Sequence, residues 1–183
     1  MLKLAYAYKD KLNEVYQKII FNKKYKYYNY GVYWNYNITV EDNSWGKIQM
    51  VSMDSKDNIL GYFIANIDRN SNKVDSLGVM NFEEKDNIVF SKDLYKFIIK
   101  VFVKFNIRKI EFCVVIGNPI QKMYDKYINK YGGRVIGIKK KAVKLDDGNY
   151  YDEKHYEIFR EDFIYSFQRI HRCKSISDKI NKL

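Results

Sequence analysis

A nearly unbroken apolar run from Ile110 to Ile116, with a helical stripe on each side, constrains the fold more than any other feature of this sequence. Only Glu111 interrupts the run, which is typical of a strand that is covered on both faces and central to a sheet. Apolar residues recur at the three-and-four spacing of a helix face before and after it. The first stripe comprises Leu94, Phe97, Ile98, Val101, Phe102 and Phe105. The second comprises Ile120, Met123, Tyr124, Tyr127, Ile128 and Tyr131.

Both predicted helices carry capping signals at their ends. Ser91 stands before the first stripe and is predicted as its N-cap. Asn118 is predicted to cap the second helix, with Pro119 at the first helical position. The Gly132-Gly133 pair ends that helix. The middle of the chain therefore predicts a helix, a buried strand and a second helix in succession.

Upstream of this unit, the period of the apolar residues changes from that of a helix to that of a strand. Predicted strands cover Ile48 to Met53, Ile59 to Ile67 and Val74 to Met80. The turn formers Ser55-Lys56-Asp57-Asn58 and Asn70-Ser71-Asn72 separate them. Connections this short predict an antiparallel three-stranded meander.

The two ends of the chain complete the pattern. Leu2, Leu4 and Tyr6 alternate as in a short strand, and Leu12 to Ile20 has the spacing of an amphipathic helix. Further strands are predicted at Val135 to Val143 and Tyr156 to Phe159. Helical spacing then resumes from Phe163.

These elements predict a mixed α/β domain with a mostly antiparallel central sheet and helices on both faces. Residues 1–162 are expected to form the domain, and residues 163–183 a C-terminal helix and polar tail. At 183 residues and 46% hydrophobic content, the chain is large enough to bury one core. No run of about 18 uncharged apolar residues occurs, so we expect a cytoplasmic protein without a membrane partner.

The cysteines and histidines of the sequence do not form a recognisable ligand motif. Cys113 lies in the apolar run and Cys173 in the polar tail, without a Cys-x-x-Cys pair or a nearby His cluster. We therefore expect reduced thiols and no metal, with Cys113 in the core. Neither His155 nor His171 is predicted as a ligand.

The formal charge of +11 favours polyanionic partners, because clustered Lys and Arg release counterions from phosphates. Only six of the basic residues are Arg, however, and AT-rich codon usage alone produces a composition rich in Lys, Asn, Ile and Tyr. A nucleic-acid partner therefore stays open but is not favoured. The Lys- and Tyr-rich stretch from Lys23 to Tyr36 has three interpretations: aromatic walls for an amine, stacking of single-stranded bases, or plain packing on the sheet.

The order of the elements resembles the GNAT N-acetyltransferase superfamily from Met1 to about Asp162. The stretch Asp57-Asn58-Ile59-Leu60-Gly61-Tyr62 is similar to the start of the family's third strand. Asn118-Pro119, followed by Tyr124 and Tyr127, is similar to its coenzyme-side helix. The hairpin Asp147-Gly148-Asn149-Tyr150-Tyr151-Asp152 is similar to that of the ribosomal-protein and polyamine acetyltransferase branch.

The resemblance implies direct transfer of an acetyl group from acetyl-coenzyme A to an amine held between the fourth and fifth strands. It implies that Tyr124 is the general acid toward the leaving thiolate. Glu111, on the central strand, is a candidate base for the ammonium form of the acceptor. The candidate coenzyme contacts are Leu77, Gly78, Val79, Phe90, Ser91, Lys92, Asn118 and Tyr127. The structural alternatives are that Tyr124 is a member of an apolar stripe, Asn118 only a helix cap and Glu111 a surface residue.

The sequence departs from the family at the pyrophosphate loop. The family has Gln or Arg, two residues, Gly, one residue, then Gly or Ala, so that backbone can approach phosphate closely. Here Asp86 stands at the Gln or Arg position and Val89 at the first Gly, and only Ser91 conforms. We expect weaker or shifted coenzyme binding, helped by Lys85 or Lys92.

Three functions are compatible with the sequence. The first is acetyl-CoA-dependent N-acetyl transfer to a protein, peptide or small-molecule amine. The second is an inactive GNAT-like protein that binds a protein or nucleic acid. The third, an accessory protein of a phage or mobile element, is compatible with both. Monomer and homodimer both stay open.

Overall fold

The computed structural model describes residues 1–28, 36–83 and 87–172. In these residues the strands are β1 (Leu2–Leu4), β2 (Lys47–Met53), β3 (Ile59–Asp68), β4 (Lys73–Asn81), β5 (Lys109–Val115), β6 (Arg134–Lys144) and β7 (Tyr150–Phe159). The α-helices are α1 (Lys9–Ile19), α2 (Ile88–Ile99), α3 (Gln121–Tyr131) and α4 (Arg160–His171). Short 3-10 helices cover Ala5–Tyr8 and Lys23–Tyr28, and a π-helical turn, Lys100–Lys104, extends α2. None of the described helices has the length and apolar character needed to cross a bilayer.

The described strands form a seven-stranded sheet in the order β1-β2-β3-β4-β5-β7-β6. All neighbours are antiparallel except β4 and β5, which are parallel. The chain reaches β5 from β4 through α2, since parallel neighbours need a long crossover. The predicted mixed α/β class, with its antiparallel meander of β2, β3 and β4, is confirmed.

Helices cover both faces of the sheet. The main core lies between the sheet and α2, α3 and α4, and its fully buried aromatic side chains are Phe63, Phe97, Phe102, Tyr156, Phe163 and Phe167. A smaller core under α1 contains Leu12, Val51 and Met53. Because Phe163 and Phe167 belong to the main core, α4 is packed as part of the same unit as the sheet.

The structure corrects the predicted starts of both central helices. Helix α2 begins at Ile88, and its N-cap is Asn87 rather than Ser91. The Asn87 carboxamide reaches the first free N–H groups, whereas Ser91 already lies in the first turn and donates its N–H to the Asn87 carbonyl at 3.0 Å. Helix α3 begins at Gln121, not at Pro119. Asn118 instead caps the turn before it, since its Oδ1 accepts the N–H of Ile120 at 3.1 Å.

The last strand and the last helix also differ from the prediction. Strand β7 begins at Tyr150 rather than Tyr156, because it pairs with β6 on one side and β5 on the other. His155 therefore lies inside a strand and not at its start. Helix α4 begins at Arg160, three residues before the predicted stripe.

The start of α2 is positioned by a close approach to β3 at Gly61. A methyl group at Gly61 would clash with the Phe90 ring and the Met80 carbonyl oxygen. Phe90 is buried there and packs on Phe63 with ring centroids 5.1 Å apart. Gly61 therefore allows the first turn of α2 to lie directly on the sheet.

We predict that Gly61→Ala lowers the free energy of unfolding by about 1–3 kcal/mol, because the added methyl overpacks the contact with Phe90. Gly137→Ala in β6 is the matched control, since a methyl there would meet nothing within 4 Å. It should change stability by less than about 0.5 kcal/mol. Urea denaturation of both variants measures the difference, and equal effects would contradict the packing account.

Candidate active site

An apolar cleft lies where the pairing of β4 and β5 ends. The two strands are registered only at Lys73 with Lys109 and at Val74 with Ile110. Beyond these pairs, the cleft is lined from the sheet and from α2 and α3. Its lining residues are Leu77, Leu94, Ile98, Ile110, Phe112, Met123, Tyr124, Tyr127 and Ile158. The structure therefore brings together Leu77, Tyr124 and Tyr127 of the predicted site.

Tyr124 projects from α3 into this cleft and is buried. Its ring meets Phe112 edge to face at 4.9 Å between centroids and Tyr156 at 6.2 Å. Burial raises the pKa of the Tyr124 phenol above its ordinary value, and the nearby Tyr28, Cys113 and Tyr156 raise it further. The phenol is therefore protonated at neutral pH, so it is able to donate a proton but not to act as a base.

Tyr127 lines the same cleft one turn further along α3. Its hydroxyl is buried and has no hydrogen-bond partner within residues 1–28, 36–83 and 87–172. Burial raises its pKa well above the ordinary value. Because a buried hydroxyl without a partner is costly, a ligand that hydrogen-bonds to this atom would recover that cost.

The predicted phosphate-binding end of α2 is occupied by the protein itself. Asn87 Oδ1 accepts the N–H of Val89 at 2.8 Å and of Phe90 at 3.3 Å. Phe90 turns its side chain into the core, while Ser91 and Lys92 are exposed. Lys85 and Asp86 lie outside the described residues. The N–H groups that would hold an anion therefore already have an internal acceptor.

Strand β4 presents the predicted residues Leu77, Gly78 and Val79 to different sides. Leu77 and Val79 pack on the main core, whereas Gly78 faces the other side, where a methyl would lie 2.6 Å from Ile64 Cγ2. All three lie past the last registered pair with β5, beside the cleft.

The structure does not place Glu111 near Tyr124. It alternates with Phe112 along β5, so its carboxylate lies on the face of the sheet opposite the cleft. There it binds Lys73 at 2.9 Å and also contacts Lys109. Hydrogen bonds from Lys109, followed by Lys73, hold the pKa of Glu111 below its ordinary value. The carboxylate is thus an ion-paired group at the closed end of the strand pair.

The short helix Lys23–Tyr28 connects β4 to the hairpin of β6 and β7. The Tyr28 hydroxyl donates to the Asn81 carbonyl at 3.1 Å and accepts the Asn81 N–H at 3.0 Å. Lys26 Nζ binds Asp147 at 3.0 Å in that hairpin. This part of the predicted Lys- and Tyr-rich stretch therefore packs on the sheet, and residues 29–35 lie outside the described chain.

Cys113 is not a core residue, which corrects the sequence prediction. It alternates with the buried Phe112 and Val114, is only half-buried, and its Sγ donates to Glu153 Oε1 at 3.2 Å. His155 lies directly opposite it on β7. No local pattern in the sequence indicates this grouping, because the pairing of β5 with β7 joins residues that are distant along the chain. Asn87, by contrast, had a local signal, since Asn is a favoured N-cap.

The comparisons with known proteins support the fold. No family model matches the chain, and no curated protein matches it. Among solved structures, mutant forms of the spermidine/spermine N-acetyltransferase SpeG from Vibrio cholerae are 16% identical, with a TM-score of 0.66 over 89% of this chain and 95% of that one. The chain has the GNAT acetyltransferase fold.

Two other similar structures are of proteins described as "putative acetyltransferase". One, from T. thermophilus, is 18% identical with a TM-score of 0.54, covering 70% of this chain and 67% of that one. The other is 19% identical with a TM-score of 0.55, and the match covers 70% of this chain and 65% of that one. At these identities the likeness concerns the fold.

We predict that Tyr127→Phe raises the free energy of unfolding by about 1 kcal/mol, because it removes a buried hydroxyl that has no partner among the described residues. Tyr156→Phe is the matched control, since the Tyr156 hydroxyl donates to Asp125 at 2.9 Å. Loss of that charge-assisted bond should lower stability by about 1.5 kcal/mol. Thermal and urea unfolding of both variants test the contrast. Destabilisation by Tyr127→Phe would mean that its hydroxyl is satisfied.

Proposed function

We propose that the protein is an N-acetyltransferase that uses acetyl-coenzyme A as co-substrate. The observation that carries the proposal is the cleft at the parallel step between β4 and β5, with the Tyr124 and Tyr127 side chains lining it. The cleft is narrow, with a volume of about 20 Å³, so its side chains have to move apart to admit the pantetheine arm. The amide groups of that arm then have a hydrogen-bond partner in the Tyr127 hydroxyl, which has none within the described residues.

Tyr124 is proposed as the general acid of the transfer. The neutral amine attacks the thioester carbonyl, a C–N bond forms, and the C–S bond breaks as the thiolate leaves. The thiolate takes the Tyr124 proton, and the proton that the amine loses returns through solvent to the Tyr124 phenolate. Burial keeps Tyr124 protonated until this step, and the same rise in pKa makes the phenol a weaker acid toward the thiolate. Glu111 does not take part in this scheme, since its carboxylate lies on the other face among lysines.

Coenzyme phosphates are proposed to bind at the start of α2 after displacing Asn87. The helix dipole favours an anion at this end, and the exposed Lys92 adds positive charge. Displacement of the Asn87 carboxamide from the N–H groups of Val89 and Phe90 opposes binding. The free energy needed to displace Asn87 would account for the weaker coenzyme binding that the sequence predicts.

The acceptor is proposed to be an amine on a neutral or acidic molecule. The similar SpeG structures are spermidine/spermine acetyltransferases, but a formal charge of +11 disfavours the approach of a free polycation. An amine within a peptide or an acidic small molecule does not meet this repulsion.

A second candidate function, binding of a polyanion without catalysis, rests on β6. This edge strand is exposed along almost its whole length and carries Lys139, Lys140, Lys141 and Lys144. These lysines lie on the edge strand of the described sheet, which suits phosphate contacts, and Lys140 among them is ion-paired with Asp152. Under this alternative, acetyl-coenzyme A does not bind, and affinity for single-stranded nucleic acid falls steeply as salt rises.

The first test of the enzyme is calorimetry with acetyl-coenzyme A and desulfo-coenzyme A, followed by turnover of Tyr124→Phe. We expect both ligands to bind. We expect Tyr124→Phe to lower kcat by about 100-fold with nearly unchanged affinity, because only the proton donor is lost. Tyr165→Phe is the matched control, because Tyr165 is an exposed residue of α4 that does not line the cleft.

Two outcomes of this test would count against the proposal. Absence of binding at millimolar ligand would rule out the enzyme and leave the polyanion-binding alternative. Binding with full turnover in Tyr124→Phe would keep the enzyme but remove Tyr124 from its mechanism.

Substitutions at Asn87 test the phosphate site. We predict that Asn87→Gly tightens acetyl-coenzyme A binding about tenfold, because the N–H groups of Val89 and Phe90 become free to bind phosphate. Asn87→Asp retains the cap but adds a negative charge, so it should weaken binding. Calorimetry at one ionic strength compares both with the unaltered protein. Equal affinities for all three would place the phosphates elsewhere.

A further inference from the structure

A group of side chains of the types that bind metals lies on the face of the sheet opposite the cleft. Cys113 of β5 and His155 of β7 are direct partners in the strand register. Glu153 precedes His155 by two residues, so its side chain lies on the same face. Directly opposed side chains have Cβ atoms about 5 Å apart, which brings the three functional groups together without any loop.

The distances within this group fit a metal ion of small radius. Cys113 Sγ lies 3.2 Å from Glu153 Oε1, and His155 Nε2 lies 2.8 Å from Glu153 Oε2. The sulfur, nitrogen and oxygen ligand atoms all lie within 4.8 Å of one another. Zinc binds such atoms at about 2.0–2.3 Å, which places tetrahedral ligands roughly 3.3–3.8 Å apart.

Glu153 is not ion-paired with a lysine or arginine in the described residues, so its carboxylate is available to bind a metal ion. Its neighbours on the same face, Glu111 and Glu157, are ion-paired with Lys73, Lys109 and Arg134. The described partners of Glu153 are instead the Cys113 thiol and the His155 imidazole. The Glu153 side chain is 11% exposed and that of His155 21% exposed, so the site is partly shielded from water.

The residue that pairs with His155 on the other neighbouring strand, β6, leaves room for a further metal ligand. In the register of β6 with β7, Gly137 pairs with His155. A methyl at Gly137 would meet nothing within 4 Å, so the space beside the imidazole is open. A metal held by three side chains from rigid strands would therefore retain an accessible fourth position for water.

We propose that Cys113, Glu153 and His155 form a binding site for a borderline-soft divalent cation, with Zn²⁺ as the best fit. The thiol loses its proton to solvent when the metal–sulfur bond forms, and His155 binds through the unprotonated Nε2. The thiolate and the carboxylate together neutralise the ion, so the net charge of the protein opposes binding only weakly. The site joins β5 to β7 and is independent of the proposed acetyltransferase function.

The test uses untagged, reduced protein comprising residues 1–183, with Zn²⁺ and Co²⁺. Calorimetry should show one Zn²⁺ bound per chain at micromolar protein. Co²⁺ should produce a near-ultraviolet sulfur-to-cobalt charge-transfer band together with the visible absorption of a tetrahedral ion. Cys113→Ser should abolish the charge-transfer band and weaken Zn²⁺ binding at least tenfold. Cys173→Ser, which alters the other cysteine of the sequence, should leave both unchanged.

Two further variants separate ligand loss from misfolding. Glu153→Gln and His155→Gln should each weaken Zn²⁺ binding, while their circular dichroism without metal matches that of the unaltered protein. The proposal is overturned if the unaltered protein gives no charge-transfer band with Co²⁺. Equal Zn²⁺ affinity in Cys113→Ser, or loss of the band in Cys173→Ser, would likewise overturn it.

Discussion

The interaction on which the rest of the structure depends is the short parallel pairing of β4 with β5. It covers only Lys73 with Lys109 and Val74 with Ile110, and the Glu111 carboxylate binds both lysines at this closed end. Parallel neighbours require a crossover, and α2 supplies it. The crossover places α2 beside the cleft that follows the last registered pair. A longer ladder would close the cleft with main-chain hydrogen bonds.

The side chains of β5 alternate between the two faces of the sheet, and the two faces have different environments. Ile110 and Phe112 face the apolar cleft and help to enclose Tyr124, while Glu111 and Cys113 face the polar side. The same two-residue period in β7 places Ile158 in the cleft and His155 beside Cys113. A one-residue change of register would exchange these roles, so the cleft and the polar cluster depend on one set of backbone pairs.

The start of α2 shows how one side chain sets the balance between stability and ligand binding. Asn87 satisfies N–H groups that a helix otherwise leaves open, and Gly61 lets the following Phe90 pack on the sheet. The protein thereby stabilises its own helix end at the place where the fold offers an anion site. Tyr127 is the opposite case, since its buried hydroxyl has no partner in the described chain.

The sequence by itself determined the succession of elements, because periods of two and of 3.6 residues are local properties. Ile110 to Ile116 indicated a central strand, and the stripes through Phe97 and Tyr124 indicated the flanking helices. The prediction that this strand is covered on both faces is wrong, since Glu111 and Cys113 are only half-buried on the polar face. The resemblance to a known family then located Tyr124, Tyr127 and Leu77, which do meet in one cleft. Only the tertiary structure decided that Glu111 faces away from them and that Cys113 meets Glu153 and His155. The physical reason is that contacts across a sheet depend on which strands pair and in which register, and no local pattern in the chain contains that information.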